Sequence, residues 1–148
     1  MDEIKKLEVS VTKLPKIDQD NGQVMHGIKA SDINFVGFGE AYFSTVAHKK
    51  TKGWKLHKKM TLNLLVPHGE IRIIVHDGFM GNDPIIPILD ITLGKKNYSR
   101  ISVPPGYWVA FTGISQESNI LLNIASIEHD PSEAINKPLN FFKVNGFE

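Results

Sequence analysis

Apolar and polar residues alternate with a period of two along most of this 148-residue chain, the spacing of strands that bury one face. "KLEVSVTKLP" alternates and stops at Pro15, and the Asn21-Gly22 pair of "DQDNG" marks a turn before "QVMHGI". Further short runs rich in β-branched and aromatic residues follow: "GEAYFSTVAH", "MTLNLLV", "EIRIIVHD", "IIPILDITL", "SRISVPP", "YWVAFTGI" and "NILLNIASI". Turn residues bound each run and are densest in "HDGFMGNDPIIP", His76 to Pro87, which reads as the longest loop. A helical start signal stands only in "DPSEAINK", with Asp130 as N-cap, Pro131 in the first turn and Glu133 three residues after the cap. Eight or more strands and at most one short C-terminal helix predict an all-β sandwich or jelly-roll barrel. No repeat, low-complexity tract or linker divides residues 1–148, so a single domain is expected.

The stretch "KGWKLHKKMTLNLLVPHGE", Lys52 to Glu70, sharpens the functional question. As one regular strand it places His57, Lys59, Thr61 and Asn63 on a common face. Aimed inward, those groups need a wet ligand pocket, because unpaired polar groups are costly in a closed core. Six lysines, Lys49, Lys50, Lys52, Lys55, Lys58 and Lys59, fall within eleven residues. They form either a solvated surface or a site for a phosphorylated or acidic ligand. The formal net charge of +1 and the lack of an interleaved basic-aromatic stripe argue against a nucleic-acid partner.

Composition removes other chemistries. With no cysteine in the chain, disulfides, zinc-thiolate sites and thiol nucleophiles are excluded. "MDEIKKLEVSV" lacks the apolar core of a secretory signal, and no apolar run approaches the ~20 residues of a membrane span, so a cytoplasmic address without a membrane partner is expected. Tyr107 and Trp108 follow a Pro-Pro-Gly turn and are either core packing or a platform for a nucleotide base. Arg72, between Ile71 and Ile73, is either solvent-facing or a clamp on a diphosphate. Exposed sheet edges are commonly managed by pairing two subunits.

The stretch around His57 has the frame of the cupin barrels: Lys55, His57, Leu62 and Gly69 stand at the offsets of their first motif, and Pro104, Gly106 and Val109 at those of the second. Lysine, leucine and valine replace metal ligands, so no metal and no cofactor are expected. More fully, "KGWKLHKKMTLNLLVPHGEIRIIVHDG", "ISVPPGYWVAFTGI" and "LLNIASIEHDPSEA", with "DQDNGQVMHGI" and "FGEAYFSTV", resemble the dTDP-4-dehydrorhamnose 3,5-epimerases and the related dTDP-sugar 3,4-ketoisomerases over Val9 to Pro138. The resemblance implies a metal-free, homodimeric jelly-roll cupin. It would move a proton beside the ketone of a nucleotide-linked, dTDP-type 4-keto-6-deoxy sugar in surface polysaccharide biosynthesis.

The carry-over is residue by residue. His57 matches the epimerases' catalytic histidine and the second histidine of the ketoisomerases' His-x-His pair, whose first falls at Lys55. The epimerases' general-acid tyrosine aligns near Asn123, their motif arginine at Trp54, and the acid that orients their histidine has no match. His57 is thus the expected base, since imidazole titrates near neutral pH, or else a buried structural histidine. Lys55 and Lys59 are candidates to stabilise an enolate, Asn63 to hold a sugar hydroxyl, and Arg72, Trp108 and Asn123 to complete the substrate site. The missing acid leaves a non-catalytic nucleotide-sugar or carbohydrate binding cupin as the alternative.

Overall fold

The computed structural model describes residues 7–78 and 87–146. Two five-stranded antiparallel sheets face each other. The first runs, in spatial order, β1 (Ser10–Lys13), β9 (Ser99–Val103), β6 (Leu62–His68), β11 (Ile120–Ala125) and β4 (Glu40–Thr45). The second runs β12 (Ala134–Asn136), β5 (Thr51–His57), β10 (Trp108–Gly113), β7 (Glu70–His76) and β8 (Leu89–Gly94). A separate hairpin, β2 (Lys16–Gln19) and β3 (Gly22–Met25), turns through Asp20 and Asn21, as the Asn-Gly signal predicts. Non-consecutive neighbours within each sheet make this an all-β jelly roll.

Alternation explains the core. Leu62, Leu64 and Val66 of β6 point at Ile71, Ile73 and Val75 of β7 across the sandwich, all buried in one apolar cluster. A second cluster lies on the outer face of the β5–β10–β7 sheet, where Trp54, Ile74 and Trp108 pack against Phe142 of the C-terminal segment. Trp54 Nε1 donates to the Leu139 carbonyl at 3.1 Å, which fastens that segment.

Two expectations change. Lys52–Glu70 is not one strand: β5 ends at His57, the chain bends through 58–61, and β6 begins at Leu62 in the opposite sheet. The crossing resets the inward–outward parity, so Lys59, Thr61 and Asn63 do not share the face of His57. "DPSEAINK" is a 3-10 turn at Pro131–Glu133 followed by β12, rather than a helix. Asp130 caps that turn, accepting from Ser132 N at 3.0 Å. The loop expected over His76–Pro87 lies largely at 79–86, outside the described residues.

Candidate active site

A cavity of about 320 Å³ opens between the two sheets. One wall is β4, β6 and β11, contributing Tyr42, Ser44, Leu62, Leu64 and Asn123; the other is β5, β10 and β12, contributing Lys52, Lys55, His57 and Phe111 among others. Strict alternation on β5 would turn Lys52 away from Lys55 and His57. A register shift between Val109 and Phe111 of β10 places an extra residue in the facing stretch of β5, and Lys52 returns to the cavity. Gly53 sits at that irregularity with φ of +146°, and a Cβ there would lie 2.5 Å from the Ala110 Cβ, so only glycine fits without a shift.

His57 is nearly buried, with its side chain 11% exposed, and its Nδ1 is bonded to Glu133 Oε1. Glu133 Oε2 accepts from Lys59 N at 3.0 Å and Met60 N at 3.2 Å. Burial pushes the Glu133 carboxyl up, but the His57 ring and the two amides outweigh it and hold the group below the ordinary carboxylate range. Glu133 is therefore a carboxylate at neutral pH. A carboxylate can only accept, so Nδ1 carries a proton, and in the neutral ring Nε2 is the nitrogen with the free lone pair. Chemically, such an arrangement can act as a base with its orienting acid, of the kind that general-base catalysis requires.

Across the cavity, Tyr42 of β4 stands directly opposite Asn123 of β11 in the ladder. Asn123 Nδ2 donates to the Tyr42 hydroxyl at 3.1 Å. The two lysines differ: Lys52 Nζ donates to the Thr45 carbonyl at 2.8 Å, while Lys55 extends from the same face as His57. Among the described residues no three His, Cys, Asp or Glu side chains come together as a metal site.

Of the residues expected from the sequence, the structure brings His57, Lys55 and Asn123 together. It removes four. Lys59 is exposed in the bend after β5, and only its backbone N–H serves the site. Asn63 points to the outer face of its sheet, where it accepts from Ser102 Oγ at 2.5 Å and donates to the Asn34 carbonyl at 3.2 Å. Arg72 lies on the outer face of β7, pairing both nitrogens Nε and Nη2 with Asp90 at 2.9 and 2.8 Å and donating to the Asn145 carbonyl at 2.6 Å. Trp108 is core: Val109 takes the inward position on β10, and the indole packs beneath Phe141 and Phe142.

Three site residues escape the sequence reading. Glu133 has a sequence signal, an acid three after Asp130, but the signal reads as a capping box when the side chain turns into the barrel instead. Tyr42 is visible in the alternation of "GEAYFSTV", which sets Tyr42 and Ser44 on one face. Lys52 stands in the lysine run already noted, but nothing marks it apart from the other five, because the bulge that turns it into the cavity cannot be read from spacing.

An all-β jelly roll with a carboxylate-held histidine, a tyrosine and a lysine lining one cavity between its sheets has the architecture of the cupins. The chain belongs to the FdtA family, described as WxcM-like, C-terminal, whose model matches residues 7–146. Similar solved structures include a dTDP sugar isomerase from Desulfovibrio desulfuricans G20, 29% identical, with TM-score 0.80 over 88% of this chain and 83% of that one. QdtA, a sugar 3,4-ketoisomerase from Thermoanaerobacterium thermosaccharolyticum in complex with TDP, is 23% identical, with TM-score 0.70 over 86% of each chain. A dTDP-4-dehydrorhamnose 3,5-epimerase from Sulfolobus tokodaii shares the fold at 16% identity, with TM-score 0.77 over 97% of this chain and 85% of that one. No curated protein matches the chain.

Proposed function

We propose that this protein is an isomerase or epimerase of a dTDP-linked 4-keto-6-deoxy sugar, working by metal-free proton transfer in surface polysaccharide biosynthesis. The His57–Glu133 pair facing Tyr42 across one cavity carries the reading. His57 Nε2 takes the proton from the carbon beside the ketone: the C–H bond breaks, an N–H bond forms, and the electron pair moves onto the carbonyl oxygen as an enolate. Glu133 offsets the charge that the ring acquires, as an orienting carboxylate does. Lys55 faces the enolate oxygen as a cation, and Tyr42 is the proton donor from the opposite wall. Return of a proton to the same carbon from the other side epimerises; protonation of the former carbonyl carbon instead, with the proton of the adjacent hydroxyl passing to the former carbonyl oxygen through the enediol, isomerises. The nucleotide-sugar class is supported by the family and by the dTDP sugar isomerase that shares 29% of its residues.

Incubation with TDP-4-keto-6-deoxyglucose in deuterated buffer, followed by NMR, tests the reading. The wild type should incorporate deuterium beside the ketone, and His57→Asn should bind the sugar nucleotide without exchange. Binding without exchange by the wild type would favour the non-catalytic binding cupin. We also propose a homodimer formed through the outer face of β4 and the segment before it, where Phe43 is 68% and Phe38 64% exposed. A monomer in sedimentation analysis would refute that part.

A further inference from the structure

We propose that Asn123 is a positioning residue for Tyr42, holding the phenolic oxygen so that its proton faces the cavity and stabilising the phenolate left when that proton is given up. The inference rests on the reading of Tyr42 as the proton donor. Asn123 is almost wholly buried. Its Nδ2 donates to the Tyr42 hydroxyl at 3.1 Å, the one hydrogen bond of that hydroxyl among the described residues. Its Oδ1 is enclosed and has no partner among them. Rotating the amide would let Oδ1 accept from the Tyr42 O–H, but it would leave the NH₂ enclosed without an acceptor and point the phenol proton into the wall. The arrangement present aims an N–H at the tyrosine and leaves one buried acceptor unsatisfied, an exception of the kind that calls for an explanation.

The asymmetry grows during reaction. A phenol can either donate to or accept from the amide, whereas a phenolate can only accept, so the bond from Nδ2 strengthens as Tyr42 loses its proton. An interaction stronger in the transition state than in the ground state raises kcat and leaves KM little changed. The strands enforce the contact, since Tyr42 and Asn123 are ladder partners on adjacent strands with both side chains on the inner face.

The test measures deuterium exchange with saturating TDP-4-keto-6-deoxyglucose in a double-mutant cycle. Asn123→Leu should lower kcat about 10- to 100-fold, the range of a hydrogen bond to a charged group, with KM within about threefold. In the Tyr42→Phe background the same change should cost less than about twofold, because its only route to the reaction is gone. Asn123→Asp keeps the shape but only accepts, so it should lose at least as much as the leucine variant, which separates donation from packing should the leucine variant disturb the fold. Equal losses from Asn123→Leu in both backgrounds, or wild-type kcat in Asn123→Asp, would overturn the proposal. If Tyr42→Phe alone keeps the wild-type rate while His57→Asn does not, the assignment of Tyr42 falls and this proposal with it, but the base stands.

Discussion

Replacing Glu133 with Gln is the sharpest perturbation of the dyad, because it changes charge and hydrogen-bonding sense with almost no change of volume. Both carboxylate oxygens are in use: Oε1 holds His57, and Oε2 holds the amides of Lys59 and Met60 at 3.0 and 3.2 Å. The glutamine oxygen can keep the two amides, which leaves its NH₂ facing Nδ1. His57 must then accept at Nδ1 and carry its proton on Nε2, the nitrogen that faces the cavity. The base is thereby filled. Loss of a positioned general base costs about 10²- to 10⁴-fold, so deuterium exchange at neutral pH should fall by that factor. Exchange within about threefold of wild type would refute the tautomer argument.

The same variant has a stability signature. Exchanging charge-assisted bonds for neutral ones should cost about 1–2 kcal/mol. The folded carboxyl is held below its ordinary value of 4.5, so its contribution is present above that value and is lost as pH falls through the lower folded value. The gap between wild type and Glu133→Gln in urea denaturation should therefore be complete at neutral pH and close as pH drops below 4.5. A gap that widens on acidification would contradict the sign.

Three further outcomes follow from the site. Lys55→Met should slow exchange about 10-fold or more through the enolate, and its effect on TDP-sugar affinity should shrink at high salt; an unchanged rate would return Lys55 to the surface. Gly53→Ala should cost about 1–3 kcal/mol by overpacking against Ala110, read by thermal denaturation, and a stability equal to wild type would show that the bulge can relax. Trp108→Phe should lower stability while leaving TDP affinity within about twofold, as volume loss in a core does; a selective loss of affinity would restore the stacking role.

The strands and their inward faces are legible because alternation is a local property: Ile71, Ile73 and Val75 announce a buried face without reference to any other strand. His57 is legible for a different reason, the blocks of sequence around it. What could not be read is whatever depends on a change of sheet. Asn63 follows from His57 only if no bend intervenes, and the bend at 58–61 carries no glycine or proline to mark it. Trp108 and Val109 are equally apolar, so spacing alone cannot say which faces the cavity. Glu133 lies 76 residues from His57, and the contact comes from the β12–β5 pairing rather than from any local rule.

The placement of β4 and β5 in opposite sheets has a mechanical consequence. It puts His57, the proposed base, in one sheet and Tyr42, the proposed proton donor, in the other, so the gap between them is the gauge of the sandwich itself, ~10 Å between packed sheets. Loops cannot close that gauge; its spacers are Leu62, Leu64, Val109 and Leu121, which line the cavity floor and belong to the core. Proton transfer needs heavy atoms within ~3 Å. On the proposed function, trimming a methyl group from one of these apolar spacers should thus retune the reach of both His57 and Tyr42 into the cavity without touching either, making the hydrophobic core beneath the cavity an adjustable rest for whatever the cavity holds.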